Sequence, residues 1–259
     1  MTLERDSVTL LHLSDTQFGR NHRFGNLRAT TEDGKFETLI QRLEIDLATL
    51  KKDHGVKPNA IVVTGDLAES GMKSEFDDVL SLLDRLSLCL DVPRQHVAIV
   101  PGNHDINRKK CEAYFYDCEG DGGKPNPPFW PKWTPYSNLL SQFYSEVAGA
   151  QFTDAFPWTL WKMPELRMVV AGLNSTMVES HLDGTRYGHV GEAQLRWFKD
   201  ALEPFEREKW MVLGLVHHNV WRGGCFNNSR RSARSSFRND YPPDVQLHYL
   251  GFWLAGGIP

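Results

Sequence analysis

Side chains able to grip a cation or move a proton gather at four places in this chain. Asp15 and Gln17 lie in "LHLSDTQFG", Asp66 in "VVTGDLAESG", Asn103, His104 and Asp105 in "VPGNHD", and His217 in "LGLVHHN". Each set directly follows an apolar run, where an unpaired polar group costs roughly 2–7 kcal/mol and a charge more. Singly, each has an ordinary explanation. An Asp after a strand commonly forms a turn or caps a helix, "GNHD" suits a tight turn, and paired histidines at a strand end are usually half-buried and hydrogen-bonded. Four such sets at successive strand ends are harder to obtain by accident, and clustered titratable groups usually mark a site. Two carboxylates, an amide oxygen and an imidazole suit divalent cations: oxygen donors accept Mg²⁺ or Mn²⁺, and imidazole accepts Fe or Zn. A carboxylate has two oxygens, so Asp66 can serve two ions. Two metals roughly 3.5–4 Å apart can clamp the attacking and departing oxygens of an in-line displacement. That is phosphoester chemistry.

The elements that must position these groups are legible as five short apolar runs: residues 8–14, 60–65, 96–101, 167–173 and 210–217. Continuous apolarity predicts strands covered on both faces. Between the first three lie amphipathic patterns, with Phe36, Leu39, Ile40, Leu43 and Leu47 on one stripe and Phe76, Val79, Leu80, Leu83 and Leu86 on another. This alternation predicts an α/β domain with parallel pairing, whose ligands bind outside the carboxyl ends of the strands. The pattern breaks over 106–160, where "CEGDGGKPNPPFWPKWTPY" reads as a loop or inserted flap. A helix is expected at about 137–148, and a later one in "GEAQLRWFKDALEPF" with Leu195, Phe198 and Leu202 inward.

Composition narrows the class of protein. The 259 residues suffice for one sizeable domain, and 41% hydrophobic with 24% charged residues is ordinary for a globular chain. A net charge of −4 offers no global basic field for nucleic acid or anionic lipid. No apolar run approaches the roughly 20 residues of a membrane span, and no basic leader precedes an apolar stretch, so no membrane association is expected. Four cysteines without a CxxC pair read as free thiols in a reducing cytoplasm.

The motifs "LSDTQFG", "GDLAESG", "PGNHD" and "LVHHN", with "VVAGLNST" and "GHVGEAQLRWFKDAL" behind them, resemble those of the calcineurin-like metallophosphoesterases. The resemblance covers roughly 8–221 and is weakest across 106–160. It implies an α/β fold of two sheets sandwiched between helices (αββα layers) and a site for two divalent ions, Mn, Fe, Zn or Mg, with Mn favoured. Asp15 and Gln17 would hold the first ion, Asp66 would bridge both, and Asn103 and His217 would hold the second. His104 would act as general acid near the leaving oxygen, and Asp105 would orient it by accepting its other N–H. A metal-bridging hydroxide would attack a phosphodiester or phosphomonoester, with nucleotides or nucleic acid as candidate substrates. The domain would run from 1 to 221 with a cap-like insertion at about 106–160.

The chain departs from the family pattern in two ways. Gln17 stands where members usually carry histidine; an amide oxygen is the harder, weaker donor, and Gln17 can equally serve only as a hydrogen-bonding neighbour. No "GHxH" follows His217, so residues 222–259 read as an atypical segment; His248 could substitute, although an aromatic-flanked histidine is more often a core residue. Arg20, His22, Arg23 and Arg28 could contact phosphates or form a solvated loop. Phe129, Trp130, Trp133 and Tyr136 could stack a base in a cap or pack a hydrophobic subcore. The missing motif leaves a second reading open, a degenerate module that binds metal, a phosphorylated ligand or a partner without turnover. Activity on phosphomonoesters, as in protein phosphatases, is a third.

Overall fold

The computed structural model describes residues 7–20, 22, 39–147 and 149–218. The first sheet is entirely parallel, in the order β1 (Leu10–Leu13), β2 (Ala60–Thr64), β3 (Val97–Val100). Every residue of β2 and β3 is buried, as their unbroken Ala, Ile and Val runs require of strands covered on both faces. Two helices make the crossovers. α1 (Leu39–His54) joins β1 to β2, and α2 (Lys73–Leu90) joins β2 to β3, burying Phe76, Val79, Leu82, Leu83, Leu86 and Leu90. The start of α2 is fixed by Glu75, whose carboxylate accepts the N–H groups of Ser70 (3.0 Å) and Met72 (2.9 Å).

After β3 the chain forms α3 (Arg108–Gly120) and α4 (Thr134–Phe143) before entering the second sheet. That sheet orders β4 (Thr159–Met163), β5 (Met168–Gly172) and β6 (Met211–Leu215), with β4 antiparallel and β6 parallel to β5. α5 (Glu192–Arg207) supplies the crossover to β6. One face of the second sheet shares the main core with the first sheet: Met168, Val170 and Leu215 cluster with Val97 and Ile99. On its other face Ala171 meets Phe198 of α5 and Trp158. The layering is therefore helices, sheet, sheet, helix, as expected of an αββα sandwich.

Several expectations change over 106–160. The stretch holds two helices in addition to loops and runs into the first two residues of a strand, and α4 begins and ends earlier than 137–148. Trp133 and Tyr136 are wholly buried in the main core, so neither is available to stack a base. The Tyr136 hydroxyl donates to Ile99 O (3.0 Å) and that of Tyr144 to Val97 O (2.7 Å), bolting this segment onto β3. Trp130 is half-buried and stacks on Phe152. Among the described residues, no helix is long and apolar enough to cross a membrane.

Candidate active site

The three parallel strands end side by side, and their following loops stay paired. Past β1, Asp15 N donates to Gly65 O (3.0 Å), Gln17 N to Asp66 O (2.9 Å) and Phe18 N to Leu67 O (2.7 Å), and Glu69 N donates back to Phe18 O (2.9 Å). Asp15, Gln17 and Asp66 all have positive φ (58°, 44° and 53°). A non-glycine residue with positive φ is uncommon and strained, and such residues gather at functional sites. This left-handed main chain turns the first two loops at the residues that the sequence singles out.

Two glycines let the loops meet. A Cβ at Gly65, itself at φ 84°, would stand 2.5 Å from Gly102 N and 2.8 Å from His217 Nδ1. One at Gly102 would overlap the Asp66 carboxylate. Asp66, Asn103 and His217, from three different strand ends, thereby come together. Asp66 is buried, and its Oδ1 accepts the main-chain N–H of His104 (2.8 Å) and lies 3.4 Å from His217 Nε2. Asn103 Oδ1 stands 3.2 Å from the same Nε2.

The protonation of His217 follows from its other nitrogen. Nδ1 is 2.7 Å from Thr64 O, which can only accept, so Nδ1 carries the hydrogen. In the neutral ring, the Nε2 lone pair then faces two oxygens, Asp66 Oδ1 and Asn103 Oδ1. In that form three electron-pair donors converge with no hydrogen between them, an arrangement that either a proton on Nε2 or a bound cation relieves. Burial pulls the His217 pKa down, but Asp66, the Thr64 carbonyl, Asp15 and Asp105 outweigh it and raise the value. The set therefore attracts positive charge, and its donor chemistry fits a borderline divalent ion. The fit is incomplete: among the described residues, no group of three or more His, Cys, Asp and Glu side chains stands ready to hold a metal.

Asp15 lies beside this set, its Oδ2 receiving the Ser14 hydroxyl at 2.5 Å. Gln17 is half-buried one turn of loop further on. His104 is half-buried, and its Nδ1 donates to Glu69 O at 2.7 Å. This corrects the expected role of Asp105. Its carboxylate is fully buried and accepts Ala68 N (2.9 Å) and Gly102 N (2.8 Å), so it ties the second loop to the third and leaves the orientation of His104 to a carbonyl. Burial, reinforced by the charge of Asp66, pushes the Asp105 carboxyl up to about 7 against those two bonds.

The carbonyls of Thr64 and Glu69 were not foreseeable from residue types, because main-chain acceptors belong to every residue. Gly65 and Gly102 did carry a signal, as glycines at turns where chains approach closely. Arg108, Glu179 and His218, which meet beside the site, were also missed as a group. His22 stacks on Phe18, with ring centroids 4.4 Å apart, and Arg20 is exposed. Arg23, Arg28, Phe36, His248 and the whole of 222–259 lie outside the described residues.

Comparison with known proteins agrees with this geometry. The profile of the calcineurin-like phosphoesterases matches residues 8–248, a span that runs past residue 221. The uncharacterized metallophosphoesterase-like protein YydB of Bacillus subtilis (strain 168) is 22% identical over 209 residues, 76% of this chain and 40% of that protein. The probable glycerophosphodiester phosphodiesterase GpdQ of Arcobacter nitrofigilis is 26% identical over 162 residues, 62% of this chain and 42% of that protein. The chain thus spans well under half the length of these relatives. With strand-end loops built in this way and a family profile aligned along nearly its whole length, the chain belongs to the calcineurin-like phosphoesterases.

Proposed function

We propose that this protein is a metal-dependent phosphoesterase that hydrolyses phosphodiesters, with nucleotides or nucleic acid as candidate substrates. The observation that carries the reading is the convergence of Asp66 Oδ1, Asn103 Oδ1 and His217 Nε2 while His217 Nδ1 is committed to Thr64 O. Asp15 and Gln17 would hold a first divalent ion, Asn103 and His217 a second, and Asp66 would serve both, with Mn²⁺ favoured by a mixed O/N set containing an amide in place of an imidazole. When bound, such ions supply Lewis acidity and an ionised water at neutral pH. The protein's own groups do the rest. Thr64 O fixes the His217 ring with Nε2 inward, as main-chain acceptors do for ligating histidines. Asp105 holds two loops in register through its pair of N–H bonds. His104 keeps its Nδ1 hydrogen on Glu69 O, so a proton for the leaving oxygen must reside on Nε2 of the imidazolium. The name of the Arcobacter relative, a probable phosphodiesterase, supports diesters over monoesters. The free thiols of Cys89, Cys111 and Cys118 suit a reducing, cytoplasmic setting.

A second reading is a module that binds metal or a phosphorylated ligand without turnover, favoured by the incomplete ligand set among the described residues. Hydrolysis of bis-p-nitrophenyl phosphate with Mn²⁺ separates the two. Wild type is expected to exceed Asp66→Ala and His104→Ala by at least about a hundredfold; equal rates in all three proteins would remove the enzyme reading.

A further inference from the structure

Beside the proposed metal ligands lies a buried ionic group that the mechanism above does not use. The carboxylate of Glu179, in the loop after β5, is entirely buried. Its Oε2 is 3.1 Å from Arg108 NH2, and its Oε1 lies 3.3 Å from His218 Nε2. Arg108 is the first residue of α3, directly after the "GNHD" loop, and its NH1 also donates to Ser180 O (2.5 Å). His218 follows His217, and its Nδ1 is 2.8 Å from the Ser175 hydroxyl. Its Cβ packs against Gly188, where any side chain would overlap it.

Burying a carboxylate requires compensation, and one isolated from water is retained only when paired. Here the compensation comes from Arg108 at the start of α3, from His218 beyond β6 and from the opposing charge of buried Lys132. Glu179 therefore sets the spacing of Arg108 and His218, which share one carboxylate and border the Asp66–Asn103–His217 set. The Arg108 side chain keeps 28% of its surface open, and its NH1 and NH2 each have one acceptor in the protein, so a guanidinium with five N–H groups retains donors beyond those two bonds. A guanidinium so held is suited to phosphate oxygens, because its fork of N–H donors matches their geometry and its position is fixed beforehand.

We propose that Glu179 is a positioning residue, whose buried carboxylate holds Arg108 and His218 side by side at the edge of the candidate site as an anchor for the phosphate oxygens of the substrate. This rests on the phosphoesterase reading and deepens it. Arg108 binds, and Glu179 acts through Arg108 and His218.

The test compares wild type, Glu179→Gln, Glu179→Asp, Arg108→Ala and the double variant with Glu179→Gln and Arg108→Ala. Four measurements are made on each: melting temperature, Mn²⁺ affinity by calorimetry, inorganic phosphate affinity of the Mn²⁺-loaded protein, and kcat and KM for bis-p-nitrophenyl phosphate. Glu179→Gln is expected to weaken phosphate binding and raise KM by about tenfold or more, the usual effect of removing a supporting partner, with Mn²⁺ affinity held within about twofold. Arg108→Ala should do the same, the double variant should be no worse than either alone, and Glu179→Asp should recover part of the loss. Unchanged phosphate affinity and KM in a folded Glu179→Gln protein overturns the proposal. So does a parallel fall of Mn²⁺ affinity, kcat and melting temperature, which marks a merely structural residue. If Glu179→Gln does not fold, the partly exposed Arg108→Ala decides on the same measurements. A wild type that binds Mn²⁺ and phosphate without turnover defeats the enzyme reading, and the phosphate arm still judges Glu179.

Discussion

Gly65→Ala probes the feature on which the candidate site most depends, the close approach of three strand-end loops. A useful companion is Gly55→Ala. Both glycines have positive φ, 84° and 67°, so an alanine at either position meets the left-handed penalty of roughly 1–2 kcal/mol. They differ in their surroundings. A Cβ at Gly55 meets nothing within 4 Å, whereas at Gly65 it would lie 2.5 Å from Gly102 N and 2.8 Å from His217 Nδ1. Those neighbours are a main-chain atom and the ring nitrogen bonded to Thr64 O, and neither can swing aside as a flexible side chain would. Overpacking a tight site costs a further 1–3 kcal/mol or so. The expected losses are thus about 1–2 kcal/mol for Gly55→Ala and roughly 2–5 kcal/mol for Gly65→Ala. Urea unfolding of both variants measures this difference, and Mn²⁺ titration of the folded proteins follows the site. Gly65→Ala should lose Mn²⁺ affinity because the added carbon pushes His217 away from Asp66 and Asn103, while Gly55→Ala keeps it. Equal destabilisation by the two substitutions, with Mn²⁺ binding retained in both, would refute the argument from close approach.

Other expectations are briefer. Tyr136→Phe removes a buried hydroxyl that donates to Ile99 O, and should lower stability by about 1–2 kcal/mol in urea unfolding; a change near zero would mean the bond adds nothing net. Lys132, whose Nζ donates to the carbonyls of Thr176, Met177 and Glu179, is lowered to about 7 by burial against the opposing charge of Glu179. The folded value lies below the unfolded value of about 10.4, so between them the unfolded chain holds a proton that the folded protein lacks. Stability on this account rises with pH across that window, by up to about 1.4 kcal/mol per unit, and Lys132→Met should flatten the rise between about pH 7 and 9. Chelation by EDTA should abolish diester hydrolysis and added Mn²⁺ restore it; restoration in Asp66→Asn to the wild-type rate would argue against Asp66 as the bridge.

All five apolar runs became strands, but the expected cover on both faces holds only for β2, β3 and β5; β1 is partly buried, and β6 exposes Met211 and Val212 at its start. β4 escaped notice because exposed Lys162 interrupts it and Leu160 is only partly buried, against Trp158, Ala171 and Phe198, so its five residues form no continuous apolar run. α3 escaped for a related reason. Cys111 is its only buried residue, so no apolar stripe betrays it. The aromatic stretch at 130–136 was ambiguous, because Pro and Gly suggested a flap while Trp133 and Tyr136 belong to the core. At the candidate site, the side chains that the fold brings together, Asp66, Asn103 and His217, could be picked out by type and by position after a strand. Which atom each one meets could not. Adjacent letters made Asp105 a natural partner for His104, yet adjacent residues on a tight turn point apart, and the acceptor came from Glu69 on another loop.

The left-handed main chain at Asp15, Gln17 and Asp66 has a consequence for how this protein can change. Each of the three residues disfavours its own conformation, so the rest of the sandwich must hold them there, and the part of the molecule richest in chemistry opposes its folding. Glycine at any of the three would relieve that opposition. A lineage pressed toward heat tolerance would therefore find gains here, and would surrender the side chains proposed as ligands in taking them.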